Sequence, residues 1–224
     1  MRAAEAGGAT HVDIACDPSL VRLAASLTRL PICVSAVEPA LFSAAVAAGA
    51  HMVELGNYDS FYPDGRIFGA EEVLALTRAT RALLPATPLS VTVPHTLPLT
   101  EQVALAAALE EAGADIIQTE GGMMATPAAP GVLGLIEKAA PTLAAAHAIG
   151  AAVGIPVMCA SGLSSVTAPM AIAAGAAGVG IGSAVNKLND QISMIAAVRA
   201  VRESMEGAAP ALRRSAAPSH AASA

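Results

Sequence analysis

The chain has 224 residues, a formal net charge of −6, 54% hydrophobic residues, 13% charged residues and 2% aromatics. One domain with a sizeable core fits that length, and parallel strands buried on both faces give such a charge-poor composition. The acidic balance, with no basic stripe, argues against a nucleic-acid partner, and no uninterrupted apolar run approaches the roughly 20 residues of a membrane helix.

Met1–Gly8 reads as the last turns of a helix, closed by Gly7 or Gly8 as a left-handed cap. Short apolar runs then recur at His11–Cys16, Ile32–Val37, Met52–Gly56, Leu89–Val93, Asp115–Thr119, Pro156–Ala160 and Ala177–Gly182. Helix-length segments separate them, and most end in Gly-Ala or lead in with proline, so each helix stops and the next strand starts at once. Strict alternation means a parallel sheet. The expected fold is an aldolase-type (β/α)₈ TIM barrel in strands two to eight, without its first strand and most of its first helix. The barrel domain is expected over residues 1–206, and the Ala/Ser/Pro-rich stretch 207–224 reads as a disordered tail.

Helix starts are expected at Asp17-Pro18, Thr100-Glu101, Ser164 or Ser165, and Asn189 or Asp190. From Ala139 to Asn186 there is no Asp, Glu, Lys or Arg, and Pro141, Pro156 and Pro169 with several glycines are expected to cut this stretch into helix, strand, helix, strand. Cys16, Cys33 and Cys159 form no CxxC pair and read as buried free thiols, without the closer Cys/His spacing of a zinc site, so no residue is assigned to a metal.

The two long strand-to-helix loops, Asn57–Gly69 and Glu120–Pro130, mark the end of the barrel where such folds keep their chemistry. Of the polar residues inside strands, Asp13 and Glu54 interrupt apolar runs, as do Ser35, Thr92 and Gln118, and Glu120 follows a strand end. A carboxylate facing the helix layer would lie unpaired in apolar surroundings, so Asp13, Glu54 and Glu120 are expected to point into the barrel near its upper rim. There they serve as general acid/base groups, bind a divalent cation beside a phosphate, or close the barrel as a polar network. His95 is the histidine placed at a strand's carboxyl end, as a general acid/base or an orienting hydrogen-bonder.

Backbone amides of Ser161, Gly162, Gly182 and Ser183, in the short turns after the last two strands, are expected to hold a phosphate, either of a substrate or of FMN. The loop 57–69 carries four of the chain's five aromatics, Tyr58, Phe61, Tyr62 and Phe68, and Arg66. It reads as a cover over the mouth or as a small satellite core. The Gly121-Gly-Met-Met124 segment reads as a second cover. The two lysines, Lys138 and Lys187, lie outside the strands, which removes Schiff-base chemistry on a strand lysine of this sequence.

Blocks such as Leu30-Pro-Ile-Cys-Val-Ser-Ala-Val-Glu-Pro39, Val53-Glu-Leu-Gly-Asn-Tyr-Asp-Ser-Phe-Tyr62, Leu89-Ser-Val-Thr-Val-Pro-His95 and Ala114-Asp-Ile-Ile-Gln-Thr-Glu-Gly-Gly122 closely resemble the conserved chloroplast reading-frame family numbered twenty-three (ycf). The resemblance runs from about Ala3 to Glu206. It implies an aldolase-type barrel in the chloroplast stroma, or in the cytoplasm of a cyanobacterium. The expected function is binding of a small phosphorylated metabolite, with a lyase or isomerase step by acid/base chemistry. The alternatives are an FMN-dependent oxidoreductase and a non-catalytic metabolite-binding protein.

Overall fold

A computed structural model describes residues 1–121 and 126–215. Seven strands form one sheet in sequence order, every neighbouring pair parallel. They are β1 (Val12–Ala15), β2 (Ile32–Ala36), β3 (Met52–Leu55), β4 (Leu89–Val93), β5 (Ile116–Thr119), β6 (Val157–Ala160) and β7 (Gly178–Gly180). The expected runs coincide with these to within two residues at each end, and β4 matches at both ends.

Parallel register neighbours share a sheet face. Asp13 pairs with Cys33, Ser35 with Glu54, Glu54 with Ser90, and Thr92 with Gln118, so this polar set faces one side. Val34, Val53, Leu55, Val91 and Ile117 alternate with it and are fully buried against the helices. That alternation decides which face carries chemistry and which carries the main core.

The helices are α1 (Arg2–Gly7), α2 (Pro18–Leu27), α3 (Phe42–Ala47), α4 (Ala70–Leu83), α5 (Leu99–Glu111), α6 (Gly131–Gly150), α7 (Ala168–Ala173), α8 (Ser183–Asn186) and α9 (Gln191–Ser215). Asp17 caps α2 as expected, its Oδ1 accepting from the N–H groups of Ser19 (2.6 Å) and Leu20 (3.1 Å). Asp190 caps α9 through the Ser193 N–H at 2.7 Å. Two starts differ. Helix α5 begins one residue early, behind Pro98. Helix α7 begins only at Ala168, because the Ser164 N–H donates to Thr167 Oγ1 (2.9 Å) and holds 164–167 in a turn.

Pro141 does not cut the chain: α6 runs through it for 20 residues. The proline is exposed, while Ala139, Thr142, Ala145, Ala146 and Ile149 bury the opposite face. An interior proline costs about 3 kcal/mol, and burial of that face offsets it. By length and composition α6 is apolar enough to cross a membrane. Here it packs as a layer helix against β5 and β6. Helix α9 extends to Ser215, so the tail expected from Gly207 falls partly on it and partly outside the described residues.

The two ends of the sheet approach each other through the helices. Helix α1 packs on α9, with Gly7 against Val198 and Arg202 Nη1 donating to the Gly8 carbonyl at 3.2 Å. Yet β1 and β7 share no hydrogen bonds, and among the described residues no strand joins them. The sheet is therefore open and curled, part of a TIM-barrel-like ring rather than a closed eight-stranded barrel.

Candidate functional site at the carboxyl end of the sheet

The expected acidic trio divides into two clusters. Glu120 immediately follows β5 and is buried at the rim. Its Oε2 lies 2.7 Å from His95 Nδ1 and accepts from the His95 N–H (3.0 Å) and Tyr62 Oη (2.8 Å). Its Oε1 accepts from the Asp59 N–H at 3.1 Å. A carboxylate in that position fixes His95 with its proton on Nδ1, which leaves Nε2 as the nitrogen free to exchange a proton. Burial and the neighbouring Glu120 both raise the Asp59 carboxyl, and burial followed by Glu120 raises the Tyr62 phenol.

Glu54 lies one layer deeper than expected. Its Oε1 accepts from Thr92 Oγ1 (3.0 Å) and Gln118 Nε2 (2.7 Å), and those two residues form the floor of the mouth. Gly56 seals it from above, for a methyl group there would overlap the Glu54 carboxylate and Thr92 Oγ1. Burial first, and then the Asp13 charge, push the Glu54 carboxyl up to about 8. Asp13 also sits below the rim, within β1, where its Oδ1 accepts from Ser35 Oγ at 2.6 Å. Solvent reaches Asp13 along the open sheet edge, but the surrounding protein still raises its carboxyl by desolvation.

Two recesses open at this end. One, of about 40 Å³, is lined by Asp59, Thr92, Gln118, Glu120, Ala160 and Ser161, among others. The other, of about 380 Å³, is lined by Asp13, Ser35, Gly56, Ser60 and Phe61 with their neighbours. Asn57 borders both and sits at φ 62°, a left-handed position that its short side chain tolerates.

Of the two turns expected to hold the phosphate, the one after β6 reaches the smaller recess through Ser161, and the one after β7 is not part of its lining. Ser161 and Gly162 adopt φ values of 70° and 73°, with the Gly162 backbone pressed against the Lys138 carbonyl of α6. Gly182 precedes α8 and a side chain on it would meet open space. Among the described residues, no protein acceptor takes the backbone N–H of Gly182, Ser183 or Ala184. Beneath the β6 turn, Thr142 donates to the Ala160 carbonyl (2.6 Å), and Thr119 Oγ1 accepts from the Ala160 N–H (3.2 Å). This buried tie between α6, β5 and β6 has no periodic signal in sequence.

The aromatic loop divides its residues. Tyr58 and Phe68 are fully buried with ring centroids 4.5 Å apart, and Phe61 packs edge-on to Phe68. Tyr58 is thus a pin that holds the loop rather than a cover, because burying its ring outweighs leaving it over water. Arg66 also turns away from the mouth, to Glu72 Oε1 at 2.6 Å and the Phe68 face. Of Tyr58, Tyr62 and Arg66 on the loop expected as a cover or a satellite core, Tyr62 reaches the site, through Glu120. Most of the Gly121–Met124 segment lies outside the described residues.

The comparisons follow this geometry. A family described as "Protein of unknown function (DUF561)" matches residues 1–209. The ycf23 protein of Cyanophora paradoxa is 45% identical over 195 residues, covering 87% of this chain and 80% of its own. That of Porphyra purpurea is 39% identical over 193 residues, covering 86% and 73%. The chain belongs to the ycf23 family. The family's setting is the chloroplast stroma or the cyanobacterial cytoplasm.

Among solved structures, this ycf23 chain is similar to the thiamine phosphate pyrophosphorylase from Pyrococcus furiosus, with a TM-score of 0.63, 21% identity, and coverage of 92% and 88%. A native KDPGal structure gives a TM-score of 0.62 at 16% identity, covering 93% and 87%. At those identities the likeness is one of fold, and the function has to be argued from the site.

Proposed function

We propose that this ycf23 protein binds a small phosphorylated metabolite at the carboxyl end of its sheet and moves a proton on it in a lyase or isomerase step. One observation carries this reading: Glu120 and Ser161 line the same recess. Glu120, which holds His95, and the first turn of the anion loop therefore face one small volume.

Within this reading, Ser161, Gly162, Gly182 and Ser183 hold the phosphate through backbone N–H groups, and the unpartnered amides at the start of α8 support the assignment. His95 exchanges the proton through Nε2. Glu120 orients the ring. Glu54 and Asp13 act from the layer beneath. The similarity in fold to a thiamine phosphate pyrophosphorylase and to an aldolase supports phosphorylated-substrate and lyase-type chemistry by analogy.

The test uses a panel of phosphorylated ketones, aldols and 2-oxo acids in D₂O, read by NMR. Solvent deuterium entering a C–H position, with loss in His95→Ala and Glu120→Gln, is the expected result. Binding without exchange by any of them would reduce the protein to a metabolite-binding role. Failure to bind any phosphate ester would overturn the reading altogether.

A further inference from the structure

The inner face below the mouth holds a second constellation, independent of the anion site. Asp13, Cys33 and Glu54 converge from β1, β2 and β3, each able to offer one ligand atom within 4.8 Å of the others. Cys33 and Glu54 are buried and Asp13 is open to solvent on the edge strand, so the trio is enclosed on one side and reachable from the other.

The surrounding hydrogen bonds orient one oxygen of each carboxylate. Ser35 occupies Asp13 Oδ1, and Thr92 with Gln118 occupies Glu54 Oε1. The Cys33 thiol is hydrogen-bonded to Asp13, an arrangement in which a metal ion would take the place of the thiol proton. Orientation of ligands by such outer partners is how metal sites are built. A second observation is separate from the acidic groups. Ser90 is fully buried and is the one side chain, among the described residues, whose buried polar atom finds no partner. It pairs in register with Glu54 and shares the inward face of β4 with Thr92, which does reach Glu54. Its hydroxyl is thus aimed into the same interior. The 380 Å³ cleft is lined by Asp13 and Ser35 and supplies an entry path.

We propose that Asp13, Cys33 and Glu54 form a binding site for a divalent transition-metal ion of the zinc class. The thiolate selects a borderline-soft ion over magnesium or calcium, which prefer oxygen ligands throughout. Three protein ligands leave a fourth position for water or for the Ser90 hydroxyl. The ion would offset charge that the strands otherwise bring together, and it would tie the edge strand β1 to β2 and β3.

The test loads the chelator-stripped full chain with Co²⁺ as an optical stand-in and with Zn²⁺. One metal per chain is expected, with thiolate-to-cobalt charge-transfer absorption. Cys33→Ser should abolish that absorption, and Cys159→Ser, altered on the helix-facing side of β6, should retain it. Ser35→Ala, which removes only an outer hydrogen bond, should weaken binding about 10- to 100-fold. Failure to retain cobalt, or absorption that survives Cys33→Ser, overturns the proposal. Cys33→Ser changes one atom at similar volume, so it stays decisive even where Asp13 or Glu54 variants do not fold. Phosphate-ester binding should persist in Cys33→Ser, so failure of this site and failure of the anion site read differently.

Discussion

His95 Nδ1 lies 2.7 Å from Glu120 Oε2, and the backbone N–H of His95 binds the same oxygen. Ring and backbone are thus held by one carboxylate atom, which fixes both the tautomer and the ring's orientation. Glu120→Gln keeps the shape but puts an amide where donors converge. Proton exchange should fall about 100-fold or more, the usual worth of a positioned acid/base group. Tyr62→Phe removes one donor from Glu120 and leaves the His95 contact, so it should cost about 1.5–3 kcal/mol in urea denaturation with a much smaller loss of exchange. Equal losses of exchange in both variants would sink the assignment of His95 as the proton carrier.

Glu54 makes stability depend on pH. Its carboxyl is raised by burial from 4.5 to about 8, so the folded state favours the neutral acid. A raised carboxyl contributes stability that is full below pH 4.5 and is lost as pH rises toward 8. In metal-stripped protein the slope from this group reaches up to about 1.4 kcal/mol per pH unit. Glu54→Gln cannot ionise and should flatten the profile between those limits. Urea midpoints measured from pH 5 to 8 decide it, and parallel profiles for the two proteins would contradict the raised carboxyl.

Much of this architecture was legible in the sequence because buried parallel strands interrupted by one polar residue leave a strong local signal. Glu54 between Val53 and Leu55 is such a case, and so is Thr92 between Val91 and Val93. The depth of each polar residue was not legible. Glu54 and Glu120 look alike in sequence, and only the stagger of neighbouring strands puts Thr92 and Gln118 between Glu54 and the mouth. Cys33 reads as one more apolar position, yet register sets it beside Asp13 on the inner face. The aromatic loop misled for a related reason: Tyr58 and Tyr62 lie four residues apart in two separate short turns, and the neighbouring Phe68 buries the first and not the second.

The anion site gives a separate outcome. A ligand that binds only the folded chain stabilises it by RT ln(1 + [L]/Kd), about 2.7 kcal/mol at a hundredfold excess over Kd. Phosphate esters should therefore raise the melting temperature. A side chain at Gly182 meets open space and should be tolerated by the fold. Gly182→Leu should leave the melting temperature of the free chain nearly unchanged and abolish the ligand-induced rise. A rise that survives would move the phosphate away from the turn before α8.

The contact between α1 and α9 can be tested at Gly7. A Cβ there would lie 2.6 Å from Val198 Cβ and 2.8 Å from Val198 Cγ1. Alanine is the better helix former by up to about 1 kcal/mol, so propensity alone predicts that Gly7→Ala stabilises. Overpacking a close contact costs about 1–3 kcal/mol, and it should win here because α1 has only six residues with which to absorb a shift. Val198→Gly removes both opposing carbons, so the double variant should be more stable than the two single effects added together. Such coupling is expected only for residues in contact. Chemical denaturation of the four proteins supplies the cycle. Additive effects would mean that α1 does not rest on α9, and the helices would then no longer account for the curl that brings β1 and β7 toward each other.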